Sequence, residues 1–148
     1  MSNLPQNEPT DATGEAAALL AQFGKAVGPV PNMVKAMANS PALLKGYMGL
    51  SAALLAGVLA PAVRERIALA AAEYNHCSYC LSGHTMLASR VAKIDDDEIA
   101  RARQAASADP HIAALLALSD SIMRRRGDIA TSPSVSVSAG KDRAKALP

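Results

Sequence analysis

Apolar residues recur at helical spacing along most of the chain, and Pro and Gly divide this pattern into segments. Ser40 followed by Pro41 is an N-cap and first-position pair that opens one such segment, and Gly57 ends it. The acidic run at 95–98 is typical of a helix start, where carboxylates favour the positive end of the helix dipole. The pattern predicts helices over residues 14–27, 31–38, 41–56, 61–75, 77–91, 95–106 and 110–126.

The domain organisation follows from where this helical pattern begins and ends. Residues 1–12 are polar and contain proline, and we expect a flexible segment there. Residues 13–126 are expected to form one helical domain, because no segment alternates apolar and polar residues as a strand would. Residues 127–148 are small, polar and of low complexity, and we expect a disordered tail. The predicted fold class is therefore all-α, with six to seven helices and an irregular C-terminal tail.

Composition supports this fold class and excludes several functions. Half of the 148 residues are apolar, but the chain has three Tyr, one Phe and no Trp, so Ala and Leu dominate the apolar residues. A net charge of +2, without a basic stripe interleaved with aromatics, gives no indication of nucleic-acid binding. The N-terminus lacks the pattern of a signal peptide, and every long apolar stretch is interrupted, so no membrane span is expected. These observations indicate a cytoplasmic protein.

Both cysteines of the chain stand in one C-x-x-C pair, and a histidine follows one helical turn later. In a helix that begins near Cys77, the side chains of Cys77, Cys80 and His84 lie at about 0°, 300° and 340° around the axis. Two thiols and an imidazole would then share one face, with the first thiol at the positive end of the helix dipole. In the cytoplasm such a pair is more often catalytic or metal-binding than structural.

A dithiol enzyme needs a nucleophilic cysteine, a second cysteine that closes a disulfide, and a group that carries protons. Attack on a hydroperoxide gives a sulfenic acid, which the second cysteine converts into a disulfide that a partner dithiol must reduce. Zinc is the rival interpretation, with Cys77, Cys80, His84 and either His76 or Glu65 as a tetrahedral set. His76 as an imidazolium would also favour the thiolate of its neighbour Cys77, although a surface turn residue fits equally well.

Further residues around the cysteine pair follow a specific spacing, with Glu65 twelve positions before Cys77 and His84 seven positions after it. The residues concerned are Arg64-Glu-Arg-Ile-Ala-Leu69, Glu73, Asn75, Cys77-Ser-Tyr-Cys80 and His84, with Pro31-Asn-Met33 and Ser40-Pro41 upstream. This pattern resembles the alkylhydroperoxidase D-like members of the carboxymuconolactone decarboxylase superfamily, in their peroxidase-related branch. The resemblance covers roughly residues 29–126.

The resemblance implies an all-helical, usually oligomeric protein that reduces hydroperoxides through a cysteine pair, without a metal or organic cofactor. It assigns Cys80 as the peroxidatic cysteine, Cys77 as its resolving partner and proton donor, and His84 with Glu65 as the proton relay. It also implies a dithiol reductant, which in alkylhydroperoxidase D is a lipoylated protein. From the residues alone, Glu65 would pass for a member of a surface ion pair, and Glu73, one turn before Cys77, is the alternative carboxylate.

The leading hypothesis is thus a thiol-dependent hydroperoxide reductase that forms a homo-oligomer. Two alternatives stay open. One is a zinc-binding or redox-sensing helical module without turnover, and the other is an inactive paralogue whose altered C-terminus leaves the motif without a pocket. Decarboxylation of a muconolactone is disfavoured, because members of the superfamily with that activity do not depend on paired cysteines.

Overall fold

The computed structural model describes residues 4–128, which form seven α-helices and no β-strand. The helices are α1 (Gly14–Val27), α2 (Asn32–Met37), α3 (Pro41–Leu55), α4 (Pro61–Tyr74), α5 (Ser78–Arg90), α6 (Asp96–Arg103) and α7 (Pro110–Arg124). The all-α prediction is confirmed, and the helix bounds agree closely with those expected. Most of the expected tail, from residue 129 onward, lies outside the described residues. Residues 1–3 of the expected N-terminal segment also lie outside them.

The largest difference in helix bounds is at α6, which ends at Arg103 rather than near residue 106. Ala105 has a φ of 54°, in the left-handed region, and this conformation lets the N–H of Ala106 bind the carbonyl of Arg101. The result is a helix-ending hydrogen-bond pattern that glycine usually provides. Because Ala105 is not a glycine, the sequence gives no sign of this stop.

The described residues divide into two compact units, the first ending at Val58 and the second beginning at Leu59. In the first unit, α1 and α2 both pack against α3. The segment before α1 is joined to α2, because the N–H of Asn7 donates to the carbonyl of Lys35 and the Lys35 ammonium lies 2.7 Å from the Glu8 carboxylate. The core of this unit comprises Leu19, Leu20, Val34, Ala38 and Leu44.

Helix α3 is almost wholly apolar, yet Leu44 is the one residue it buries. Leu43, Leu50 and Leu54 are each more than half exposed. Their spacings of seven and four residues place them within about 40° of one another, on one side of the helix. The only charged residue in α3 is Lys45. An apolar stripe of this kind on a surface is typical of an interaction site.

In the second unit α4 is central, since it packs against α5, α6 and α7. Its body is rich in alanine, and small side chains let neighbouring helices approach closely. The core consists of Leu69, Ala70, Ala88, Ile94, Ile99, Ala102 and Leu116, drawn from all four helices and the segment before α6. This packing fixes α4 and α5 beside each other.

Glu98, the last residue of the acidic run at 95–98, is a buried carboxylate in α6. The N-cap role of the run is confirmed, because Asp95 accepts a hydrogen bond from the N–H of Glu98 at 2.8 Å. The Glu98 carboxylate accepts hydrogen bonds from the Ser107 hydroxyl at 2.7 Å and the Ala108 N–H at 2.8 Å, and Arg66 of α4 lies 3.4 Å away. The hydrogen bond from Ser107, then that from Ala108, and the charge of Arg66 hold the pKa of Glu98 below its usual value.

We expect Glu98→Gln to lower the free energy of unfolding at neutral pH by roughly 3 kcal/mol, because Arg66 and two hydrogen-bond donors lose a buried charged partner. Since folding depresses the pKa of Glu98, its stabilisation is present above the ordinary value of 4.5 and is lost as the pH falls below it. Urea unfolding of the wild type and the variant should therefore converge on acidification. Asp97→Asn, an exposed carboxylate in the same turn, is the matched control, and an equal loss in both variants would contradict the assignment.

None of the helices within residues 4–128 combines the length and apolarity needed to cross a bilayer.

Candidate redox site

The cysteine pair lies at the N-terminus of α5, directly after a tight turn that follows α4. His76 has a φ of 51°, and the N–H groups of His76 and Cys77 bind the carbonyls of Glu73 and Ala72 at the end of α4. This turn reverses the chain within three residues. Cys77 then takes the N-cap position of α5, and its Sγ accepts a hydrogen bond from the N–H of Cys80 at 3.2 Å.

Cys77 and Cys80 form a disulfide, with their Cα atoms 5.3 Å apart. Both residues are half-buried, so the pair is neither sealed in the core nor fully in solvent. A C-x-x-C pair at a helix start holds the two sulfurs close enough to alternate between dithiol and disulfide without rearranging the backbone. The structure thus places the two sulfurs as the motif predicts.

A hydrogen-bonded histidine and glutamate lie beside this pair. His84 is one turn after Cys80 on α5, and its Nδ1 lies 2.8 Å from Oε2 of Glu65 on α4. The His84 side chain is 37% exposed and that of Glu65 is 21% exposed, so solvent or a substrate can reach the imidazole while the carboxylate is more enclosed. The contact with the carboxylate fixes the orientation of the ring through Nδ1.

The two arginines that flank Glu65 in sequence are bonded elsewhere. Arg64 donates a hydrogen bond to the carbonyl of Leu59, and Arg66 forms an ion pair with Glu98. The hypothesis of a surface ion pair for Glu65, which its two neighbours suggested, is therefore not what this geometry shows. Its carboxylate contacts an imidazole on the next helix instead.

Glu73, the alternative carboxylate, is engaged in a different contact. Its Oε2 lies 2.6 Å from Nε of Arg103 on α6. His76 is exposed and borders a cleft of about 310 Å³ that Glu73 and Arg103 also line. Glu73 and His76 thus belong to a polar cleft on the side of Arg103, and Glu65 is the carboxylate bonded to His84.

The zinc interpretation requires several ligand side chains to lie together. Within residues 4–128, no three His, Cys, Asp or Glu side chains are grouped so that they could hold a metal ion. The two sulfurs are bonded to each other, and a disulfide offers no thiolate to zinc. The four-ligand set that the sequence left open is not assembled here.

Comparison with known proteins gives one family. A family model described as "Carboxymuconolactone decarboxylase family" matches residues 41–120, which is more than half of the chain and includes all four candidate site residues. The match runs from the start of α3 to α7. No curated protein matches the chain.

Proposed function

Because the chain belongs to the carboxymuconolactone decarboxylase family, which includes alkylhydroperoxidase D, we propose that it is a thiol-dependent hydroperoxide reductase. The observation that carries the proposal is a disulfide-forming C-x-x-C pair at a helix N-terminus, followed one turn later by a glutamate-bonded histidine. This set contains a nucleophile, a resolving thiol and a proton carrier, which are the groups that a two-cysteine peroxidase requires. Its reaction would use no metal or organic cofactor and would take place in the cytoplasm.

In the oxidative half-reaction, Cys80 is the attacking cysteine, and His84 accepts its proton. The thiolate attacks the terminal oxygen of the hydroperoxide, the O–O bond breaks, and the alcohol leaves with a proton returned through His84. Glu65 orients the imidazole and stabilises it while it is protonated. The sulfur of Cys77 then attacks the sulfenic acid on Cys80, water leaves, and the disulfide forms.

The reductive half-reaction requires an external dithiol, and we propose a protein-borne one, with a lipoylated partner as the first candidate. Two thiols of the donor become a disulfide while Cys77 and Cys80 return to the dithiol state. The cysteine pair is half-buried at a helix start, where a small arm of a partner can reach it.

The direct test is the thiol state of the reduced protein after addition of a small excess of peroxide. We expect two thiols to be lost for each peroxide consumed, with a Cys77–Cys80 disulfide as the product in mass spectrometry. Thiols that persist under these conditions would contradict the proposal. A disulfide that forms once but does not cycle with added dithiols would favour a redox-sensing module instead.

We also propose that the protein forms a homo-oligomer, and the apolar stripe of α3 supports this. Leu43, Leu50 and Leu54 lie on one exposed side of a helix that carries a single charge. The stripe of one copy can therefore pack against the same stripe of a second copy. We expect Leu50→Glu to weaken self-association by about tenfold or more, because pairing would bury a carboxylate. Sedimentation should show wild type above 15.2 kDa and the variant shifted toward it.

The matched control for Leu50→Glu is Ala18→Glu, which places the same charge at an exposed position of α1. Its sedimentation should match that of wild type. A wild-type protein that sediments as a monomer throughout the micromolar range would contradict the proposed oligomer.

A further inference from the structure

We infer that the two sulfurs of the disulfide have distinct roles in reduction, such that the incoming thiol attacks Cys80 and Cys77 departs as the thiolate. The inference deepens the proposed function and rests on it only in taking this disulfide as the bond that an external dithiol opens. It concerns the order of bond breaking, which the C-x-x-C spacing alone does not determine, because either sulfur of such a pair can be attacked.

The first observation concerns Cys77. Its Sγ accepts the N–H of Cys80 at 3.2 Å, from the N-cap position of a 13-residue helix. Negative charge at this point is stabilised by that hydrogen bond and by the positive end of the helix dipole. The sulfur that carries this charge most readily is the better leaving group in thiol–disulfide exchange.

The second observation concerns Cys80. It lies four residues before His84, so the two side chains are neighbours on the same face of α5. His84 is bonded to Glu65 through Nδ1 and is more than one-third exposed. Its free nitrogen is therefore placed to accept the proton of a thiol that approaches Cys80 from outside. Both sulfurs have a stabilising group, but these groups suit different steps.

The reduction then proceeds in two balanced steps. The sulfur of the first donor thiol bonds to Cys80 Sγ, the S–S bond breaks, and its electron pair goes to Cys77 Sγ, while His84 holds the donor's proton. In the second step the other donor thiol attacks the donor sulfur of this mixed disulfide. The second donor thiol gives its proton to the Cys77 thiolate, and Cys80 leaves with the proton from His84. The donor departs as a disulfide, having given up two electrons, and both cysteines are thiols again.

Alkylation of single-cysteine variants tests the first observation directly. The hydrogen-bond donor is the backbone N–H of residue 80, so Cys80→Ser keeps it, and Cys77 is then the only thiol. The rate of alkylation by iodoacetamide is measured against pH in this variant and in Cys77→Ser. We expect the pH of half-maximal rate to be lower for Cys77 than for Cys80, by about one pH unit or more. Equal midpoints, or a lower midpoint for Cys80, would overturn the inference.

Trapping of the mixed disulfide tests the regiochemistry in the intact protein. Oxidised wild type is mixed briefly with 2-mercaptoethanol, quenched in acid and alkylated, and tandem mass spectrometry distinguishes the two cysteines across Ser78 and Tyr79. We expect the 2-mercaptoethanol adduct on Cys80 and the alkyl group on Cys77, in a ratio of about ten to one. An adduct predominantly on Cys77 would overturn the inference. Neither experiment uses peroxide, so a protein inert toward peroxide can still give the expected result.

Discussion

Cys80→Ser is expected to abolish peroxide consumption, with a loss on the order of 10³-fold or more, because the serine hydroxyl supplies no thiolate to attack the O–O bond. The serine preserves the size of the side chain and leaves the backbone N–H that caps Cys77 in place. We therefore expect the fold to be unchanged, and circular dichroism should show the helical content of wild type. The measurement is the rate of hydroperoxide loss with a dithiol donor in excess.

The informative comparison for Cys80→Ser is Cys77→Ser. That variant keeps the attacking cysteine, so it should consume one peroxide for each chain and stop as a sulfenic acid, which mass spectrometry detects as one added oxygen. It should form no intramolecular disulfide, since the resolving sulfur is missing. Full activity in Cys80→Ser would rule out the assignment of Cys80. A sulfenic acid on Cys77 in Cys80→Ser would show that the two cysteines have the opposite roles.

Glu65→Gln should lower the rate of peroxide consumption by about 10²-fold, the range in which general acid–base groups act. In the wild type, Nδ1 of His84 lies 2.8 Å from Oε2 of Glu65. The amide of the variant can still accept this hydrogen bond, but it carries no charge to stabilise a protonated ring. We therefore expect the maximal rate to fall while the dependence on peroxide concentration changes little. Steady-state kinetics over a range of pH values would separate the two quantities.

Glu73→Gln is the matched control for Glu65→Gln, because it makes the same change in the same helix. Glu73 is paired with Arg103 rather than with His84, so its loss should leave the rate within about twofold of wild type. If instead Glu73→Gln is the more damaging substitution, Glu73 is the relay carboxylate, and the hydrogen bond between Glu65 and His84 is structural.

Local sequence signals were sufficient for the helices, except for the C-terminal end of α6. Ser40 and Pro41 begin α3 as expected, with the Ser40 hydroxyl accepting the N–H of Leu43, and Pro61 and Pro110 begin two further helices. Thr13 occupies the N-cap position of α1 but makes no side-chain hydrogen bond there, so a suitable residue at the right position does not by itself form the capping interaction. Capping bonds depend on rotamers, which the sequence does not specify.

The candidate site was predictable in part for the same reason. Cys80 and His84 lie one turn apart on α5 and Cys77 caps the start of that helix, so local geometry alone places them together. The contact between Glu65 and His84 depends on how α4 packs against α5, and the residues alone left Glu65 indistinguishable from a surface carboxylate. Only the spacing shared with a known family indicated it.

Glu98 escaped prediction altogether. Apart from Arg101 one turn later, its partners are Arg66, 32 positions earlier, and residues 107–108 of the loop before α7. The local sequence therefore does not mark it as buried. An acidic run before a helix is nearly always solvated, and three of its four members behave in that way here. A buried carboxylate is recognised from its surroundings, which are a property of the tertiary structure.

The turn between α4 and α5 has a consequence for how this site can change. All four candidate site residues lie within twenty positions, from Glu65 to His84, on two consecutive helices and the turn that joins them. No distant segment of the chain has to arrive before they meet. The orientation of α5 relative to α4 depends on the three residues that link them, 75–77. One residue inserted there would change this tight turn, and with it the packing of α5 on α4 that brings His84 to Glu65. A longer connection between α4 and α5 is therefore expected to separate the glutamate from the histidine while leaving each helix intact.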